Sequence, residues 1–170
     1  KVLAIVNGAY GKRIVQMLRV LKIDHTIIES AEDQYPDLAT IEHALAHDKR
    51  NNFVAVVHCE TTTGIVNPIE KIGALAKAAG AYYFVDAMSS FGAVPVAFNA
   101  AHIDYLVSSA NKCIEGVPGF GFVLARRDAI AATEYYARSL SLDVFAQWKG
   151  LERDGQFRFT PPTHALLAFH

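Results

Sequence analysis

Short apolar runs alternate with segments of helical periodicity along most of this 170-residue chain. A continuous apolar run of about four to eight residues is typical of a buried strand, whereas apolar residues at every third or fourth position indicate an amphipathic helix. Strands are therefore predicted at 2–6, 25–28, 53–57, 82–85, 105–107 and 121–125, and helices at 13–21, 38–47 and 68–79. Strands that are apolar on both faces and alternate with helices predict a three-layer α/β/α architecture around a mainly parallel sheet.

The C-terminal part of the sequence departs from this alternation. A helix is predicted at 139–150, with an apolar stripe formed by Leu140, Leu142, Val144, Phe145 and Trp148. Residues 156–162 are extended and end in two prolines, and a further helix is predicted to start at Thr163. We expect a domain core over 1–155 and a segment leading away from it over 156–170. Since the sequence starts on a strand and stops within a helical pattern, we expect it to be a piece of a longer protein.

Composition and charge exclude several classes of protein. Hydrophobic residues make up 52% of the chain and charged residues 19%, which is typical of a globular domain rather than a disordered one. A net charge of -1 supplies no positive field to attract nucleic acid, and no apolar run is long enough to span a bilayer. Cys59 and Cys113 form neither a disulfide framework nor a zinc pattern, and the seven histidines show no metal spacing. We expect a soluble, cytoplasmic protein without a metal centre.

Polar and small residues cluster directly after several predicted strands. The clusters lie at 8–11, 58–64, 86–90 and 108–112, and parallel sheets bind ligands at the edge formed by the carboxyl ends of their strands. Asp86 ends one apolar run, where a carboxylate needs a cationic partner. Lys112 follows another, where desolvation can leave a lysine with the free amine that attacks an aldehyde. An anion for a pyridine nitrogen and an amine for an aldehyde are what pyridoxal phosphate requires, so the pair predicts that cofactor.

Two neighbouring features fit the same cofactor, and each also has a simpler reading. The hydroxyls at 61–63 suit a phosphate or phenolic oxygen, but these threonines could instead cap the helix that begins near Pro68. The ring of Tyr10 could stack on the cofactor or serve only for packing. Asp86 alone could be a turn residue and Lys112 alone a solvated surface lysine. The two together favour the cofactor.

Three motifs of the chain resemble those of class V, fold-type I aminotransferases. They are HCETTTG at 58–64, VDAMSSFG at 85–92 and SSANKC at 108–113. The stretches GVPGFGF at 116–122 and RSLSLD at 138–143 resemble the same family. The similarity therefore covers nearly the whole chain.

The resemblance assigns a role to each candidate site residue. It implies that Lys112 holds pyridoxal phosphate as a Schiff base and moves the proton during catalysis, while Asp86 partners the pyridine nitrogen. It also implies that the ring of Tyr10 stacks on the cofactor. It further implies that Thr61 bonds to the cofactor on its phenolic-oxygen side and that Met88 packs on the opposite ring face. Asn111 is implied to bond to the phosphate, and Thr160 to the phosphate held by the neighbouring subunit.

The resemblance also implies a reaction and its partners. The implied enzyme is a homodimer that transfers the amino group of 2-aminoethylphosphonate to pyruvate, giving phosphonoacetaldehyde and alanine. It would have a phosphate loop before Lys1 and a small domain with a substrate-carboxylate arginine after His170, so this piece alone is expected to be inactive. The open alternatives are another amino donor, lyase or desulfurase chemistry, and a non-catalytic assembly domain. Asn111 rather than histidine before the lysine argues against a desulfurase.

Overall fold

One six-stranded sheet forms the centre of the structure, a computed structural model that describes all 170 residues. Its strands are β1 (Val2–Val6), β2 (His25–Glu29), β3 (Phe53–Val57), β4 (Tyr82–Asp86), β5 (Tyr105–Ser109) and β6 (Gly121–Ala125). They lie in the order β2-β1-β3-β4-β5-β6. All neighbouring pairs are parallel except β5 and β6, which are antiparallel. The mainly parallel sheet predicted from the sequence is confirmed.

Helices cover both faces of this sheet. They are α1 (Ala9–Val20), α2 (Leu38–His47), α3 (Ile69–Ala78), α4 (Arg127–Ala131), α5 (Val144–Asp154) and α6 (Thr163–Phe169). Buried side chains of α2 and α3 pack with Leu3, Val54 and Tyr83 on one face. Helix α1 packs through Val15 and Leu18 against the other face. The predicted α/β/α layering is confirmed, because helices bury both faces of the central strands β1 and β3.

The alternation of side chains along β4 puts Asp86 on the α1 face of the sheet. Tyr83 is buried in the cluster formed with α2 and α3, and successive side chains of a strand point to opposite faces. Phe84 and Asp86 therefore point the other way. The strand register connects Phe84 through Ala55 of β3 to Ala4 of β1, and Ala4 packs with α1. Asp86 thus lies in the same layer as the helix that carries Tyr10.

The predicted helix at 139–150 is wrong at its start. Helix α5 begins at Val144 because the side chain of Asp143 accepts a hydrogen bond from the backbone N–H of Ala146 at 2.9 Å and caps it. Leu140 and Leu142, counted in the predicted apolar stripe, precede the helix and are 74% and 78% exposed. The sequence pattern also does not predict α4, since a five-residue helix is too short to show a period.

Helix α3 approaches the chain after β4 so closely that only glycine fits at position 73. A Cβ on Gly73 would lie 1.9 Å from the carbonyl oxygen of the buried Ala101. We expect Gly73→Ala to lower the free energy of unfolding by about 2–3 kcal/mol, measured by urea denaturation. Gly150→Ala in α5 is the matched control, because its Cβ would meet nothing closer than 3.6 Å and should be tolerated. Equal losses at both positions would contradict the close approach.

Candidate active site

The loops that follow β3, β4 and β5 meet at the carboxyl edge of the sheet. The hydroxyl of Ser89 donates a hydrogen bond to the carbonyl oxygen of Cys59 at 2.5 Å, which joins the loop after β4 to the loop after β3. The thiol of Cys113 donates to the carbonyl oxygen of Ser89 at 3.3 Å, which joins the loop after β5 to the same residue. The segment that contains Lys112 is therefore in direct contact with the segment that follows Asp86.

Asp86 is a half-buried carboxylate without a cationic partner. It accepts a hydrogen bond from the backbone N–H of Met88 at 2.9 Å and takes part in no ion pair. Burial raises the pKa of the Asp86 carboxyl, the Met88 N–H opposes that rise, and the negative charge of Glu60 adds to it. A carboxylate in this state favours a nearby cation. The simpler reading as a turn residue also holds, since the Met88 bond closes the turn.

Lys112 lies in a tight turn after β5. The backbone N–H of Glu115 donates to the carbonyl oxygen of Lys112 at 2.8 Å, and the N–H of Gly116 donates to that of Ala110 at 2.8 Å. The Lys112 side chain is exposed and forms no ion pair. The desolvation that the sequence suggests for this lysine is therefore not found in the structure. The turn fixes the backbone and leaves Nζ free to bond to a ligand.

The structure adds a residue that the sequence analysis does not single out. The hydroxyl of Ser109, the last residue of β5, is buried and has no hydrogen-bond partner. Alternation along β5 puts Ser109 on the same face as Val107, which is the register partner of Asp86. An unpaired buried hydroxyl costs free energy, so this one suits a ligand with acceptor oxygens. Its signal in the sequence is a polar residue on the Asp86 face of a mostly apolar strand.

A fully buried carboxylate, that of Glu60, lies in the loop after β3. Glu60 accepts hydrogen bonds from the backbone N–H groups of Tyr10 at 3.0 Å and Gly11 at 2.7 Å. These groups belong to the first turn of α1, whose N-cap residue, Gly8, has no side chain that could bond to them. The loop that carries Thr61 is thereby tied to the helix that carries Tyr10.

The threonines at 61–63 form a surface turn and do not cap α3. The N-cap of α3 is Pro68, and no side chain bonds to the free N–H groups there. The capping alternative is therefore wrong. Thr61 is exposed, and the backbone N–H of Gly64 donates to the carbonyl oxygen of Glu60 at 2.7 Å to close the turn. The Thr61 hydroxyl is left accessible to a ligand.

The other predicted site residues differ in how they relate to this edge. Tyr10 is half-buried at the start of α1, and the guanidinium of Arg13 lies 4.8 Å from its ring centroid. Asn111 is exposed directly beside Lys112. Thr160 is exposed in the segment between α5 and α6, and no hydrogen bond links its side chain to the edge. The structure thus brings Tyr10 and Asn111 to the edge and does not join Thr160 to it.

Neither a metal-ligand cluster nor a membrane-spanning helix is found in the structure. No group of three or more His, Cys, Asp or Glu side chains lies close enough to hold a metal ion. No helix combines the length and the apolar character needed to cross a membrane. The buried His58 has its Nδ1 2.9 Å from the Ser90 hydroxyl, and burial lowers the pKa of its imidazole. The His58 ring is thus hydrogen-bonded within the core, as buried polar groups usually are.

The sequence matches a known family over most of its length. The family model described as aminotransferase class-V matches residues 12–169. The chain is 52% identical over 170 residues, or 99% of its length, to curated proteins named 2-aminoethylphosphonate–pyruvate transaminase from Salmonella heidelberg (strain SL476) and Salmonella typhimurium (strain LT2). It covers 46% of each of these proteins. The chain therefore spans about half the length of the curated relatives it matches.

Solved structures share the fold. Pyridoxamine-pyruvate aminotransferase from Mesorhizobium loti has a TM-score of 0.87 and 30% identity, over 99% of this chain and 44% of that one. A cysteine desulfurase from Thermococcus onnurineus NA1 has a TM-score of 0.66 and 25% identity, over 77% of this chain and 33% of that one. The similarity to the aminotransferase is thus closer and more complete than the similarity to the desulfurase.

Proposed function

Because this chain belongs to the class-V aminotransferase family, we propose that it forms the cofactor site of an enzyme that transfers the amino group of 2-aminoethylphosphonate to pyruvate. The products are phosphonoacetaldehyde and L-alanine. The observation that carries the proposal is the contact between the segment after Asp86, a carboxylate without a cation, and the turn of Lys112, a lysine that forms no ion pair. The choice of amino donor rests on the 52% identity to the Salmonella proteins.

A carboxylate without a cation and a hydroxyl without a hydrogen-bond partner fit pyridoxal phosphate. The Asp86 carboxylate has no cation beside it, and a protonated pyridine nitrogen would supply one. The buried hydroxyl of Ser109 has no acceptor, and an oxygen of the cofactor would supply one. When bound, this cofactor withdraws electrons from the carbon that carries the amino group, so that a proton can leave it.

The residues of the chain would hold the cofactor and move that proton. Asp86 keeps a proton on the pyridine nitrogen by its negative charge. Nζ of Lys112 would hold the aldehyde carbon of the cofactor, and the same amine would move the proton from the substrate carbon to that carbon of the cofactor. The ring of Tyr10 would stack on the pyridine ring, the hydroxyl of Thr61 would bond to the phenolic oxygen, and Asn111 would bond to the phosphate.

The proposed enzyme is a homodimer in the cytoplasm. Thr160 is exposed, as required of a residue that contacts the phosphate bound by a partner subunit. Several large apolar side chains of the C-terminal part are exposed and suit burial against another chain: Tyr135, Tyr136, Leu140, Leu142 and Leu167. Cys59 and Cys113 are free thiols, as is usual in a reducing compartment.

An amino-donor profile of the full-length protein tests this function. With pyruvate as acceptor, alanine should form from 2-aminoethylphosphonate with a kcat/KM at least about 10²-fold above that for α-amino acids of similar size, since a site built for a charged phosphonate rejects analogues without it. Equal rates with other donors would contradict the proposed donor. Sulfide release from L-cysteine would indicate a desulfurase, and a lack of both cofactor and activity would indicate an assembly domain.

A further inference from the structure

Glu60 is the one fully buried acidic residue of the chain. Removing a carboxylate from water is costly unless hydrogen bonds or opposite charge compensate it. Its two backbone donors, the N–H groups of Tyr10 and Gly11, lie at the N-terminus of α1, where the helix dipole also favours a negative charge. The carboxylate is thus held in one place by two charge-assisted hydrogen bonds.

Two glycines leave room for this carboxylate. A Cβ on Gly8 would lie 2.5 Å from Cδ of Glu60, and a Cβ on Gly11 would lie 3.2 Å from its Oε1. Neither glycine has a positive φ, so space rather than backbone conformation requires them. The GAYG sequence at 8–11 and the HCETTTG sequence at 58–64 therefore form one structural unit.

The same unit is tied to the loop that carries Asp86. Cys59, the residue before Glu60, accepts a hydrogen bond from the hydroxyl of Ser89 at 2.5 Å. Thr61 is the residue after Glu60. The carboxylate therefore lies at the junction of three segments from which the ring of Tyr10, the hydroxyl of Thr61 and the anion of Asp86 reach the edge.

We propose that Glu60 is a positioning residue of the cofactor site, which rests on the function proposed above. Its carboxylate fixes the first turn of α1 against the loop after β3, and so sets the place of Tyr10 relative to Thr61. Without this charge the start of α1 is free to shift, and the ring that stacks on the cofactor shifts with it. Glu60 acts through Tyr10 and does not itself touch the reacting atoms.

A double-mutant cycle on the full-length protein tests this role. The Kd of pyridoxal 5'-phosphate is measured by absorbance titration for the wild type, Glu60→Gln, Tyr10→Ala and the double variant. A glutamine can accept only one of the two N–H groups, because its amide nitrogen faces the other donor. Each single change is expected to weaken binding about tenfold, and the double variant to bind about as weakly as Tyr10→Ala alone. Losses that multiply to about a hundredfold, or wild-type binding by Glu60→Gln, would overturn the assignment.

Circular dichroism of the bound cofactor separates positioning from a general loss of stability. At saturating pyridoxal 5'-phosphate, Glu60→Gln should change the induced band per bound cofactor, because the ring stacks on a displaced Tyr10. A merely structural effect lowers only the bound fraction, so an unchanged band would count against the proposal. If Glu60→Gln does not fold, Gly8→Ala replaces it in both experiments, since its Cβ crowds the same carboxylate.

The matched control is Glu70→Gln, an exposed glutamate in the first turn of α3. This change should leave both the Kd and the induced band unaltered. Failure of the wild-type protein to bind pyridoxal 5'-phosphate would overturn the proposed function together with this inference. Wild-type binding that is indifferent to the carboxylate of Glu60 would overturn this inference alone.

Discussion

Replacing Lys112 with alanine is expected to abolish amino transfer while leaving the fold intact. The side chain is exposed and forms no ion pair, so its removal should change the Tm of the cofactor-free protein by no more than about 2 °C. The amine both binds the cofactor and moves the proton, and kcat should therefore fall at least about 10³-fold. The rate of alanine formation from 2-aminoethylphosphonate and pyruvate by the full-length protein measures this loss.

Covalent labelling identifies the lysine independently of turnover. Borohydride reduction of the wild-type protein should leave one phosphopyridoxyl group on the peptide that contains Lys112, and Lys112→Ala should carry none. Lys71→Ala, an exposed lysine of α3 without an ion pair, is the control and should keep both label and activity. A label that persists in Lys112→Ala would mean that another amine holds the cofactor.

The parallel strands could be predicted from the sequence because their signal is local. The run at 53–57 is apolar throughout, and β3 (Phe53–Val57) forms there with the predicted bounds. The same holds for β1 (Val2–Val6). A strand buried on both faces is recognised from a handful of adjacent side chains, whatever the rest of the chain does.

The start of α1 is harder to predict, because a residue distant in the sequence sets it. Helix α1 begins at Ala9 rather than at 13, in a stretch with two glycines and little apolar periodicity. The groups that accept its free N–H groups belong to Glu60, which is 49 residues from Gly11 in the sequence. Only the fold brings them together. The start of α5 is set by an adjacent residue, because Asp143 caps this helix at a position that the apolar pattern does not mark.

For the candidate site, too, some features follow from the sequence and others only from the structure. The strand ends of a parallel sheet share one edge, so the sequence alone places Asp86 and Lys112 on that edge. The burial of the Ser109 hydroxyl depends on packing around the end of β5, and the exposure of Lys112 depends on how its turn leaves the sheet. Neither property follows from residue type or spacing. The sequence thus predicts which loops meet, and the structure defines the surroundings of each side chain.

Asp86→Asn is expected to change stability and cofactor binding in opposite directions. Burial raises the pKa of Asp86 in the folded protein above its value in the unfolded chain. The protonated carboxyl therefore stabilises the fold at a pH below the unfolded pKa, and this stabilisation is lost as the pH rises through the folded pKa. At about pH 7 the cofactor-free protein therefore contains a partly desolvated negative charge at Asp86, which the change to asparagine removes. The amide oxygen of the asparagine can still accept the hydrogen bond from the Met88 N–H. The Tm of the cofactor-free, full-length variant should exceed that of the wild type at about pH 7, and this difference should shrink towards about pH 4.

Binding of the cofactor reverses the sign of this effect, because a neutral amide cannot keep a proton on the pyridine nitrogen. The affinity of Asp86→Asn for pyridoxal 5'-phosphate should fall about 10²-fold or more, as when one partner of a buried charge pair is removed. Asp33→Asn, at an exposed aspartate without an ion pair, should alter neither the Tm nor the Kd. A variant of Asp86 that lost stability without the cofactor and bound it like the wild type would mean that this carboxylate only closes its turn through Met88. The site would then lack the counter-ion on which its chemistry depends.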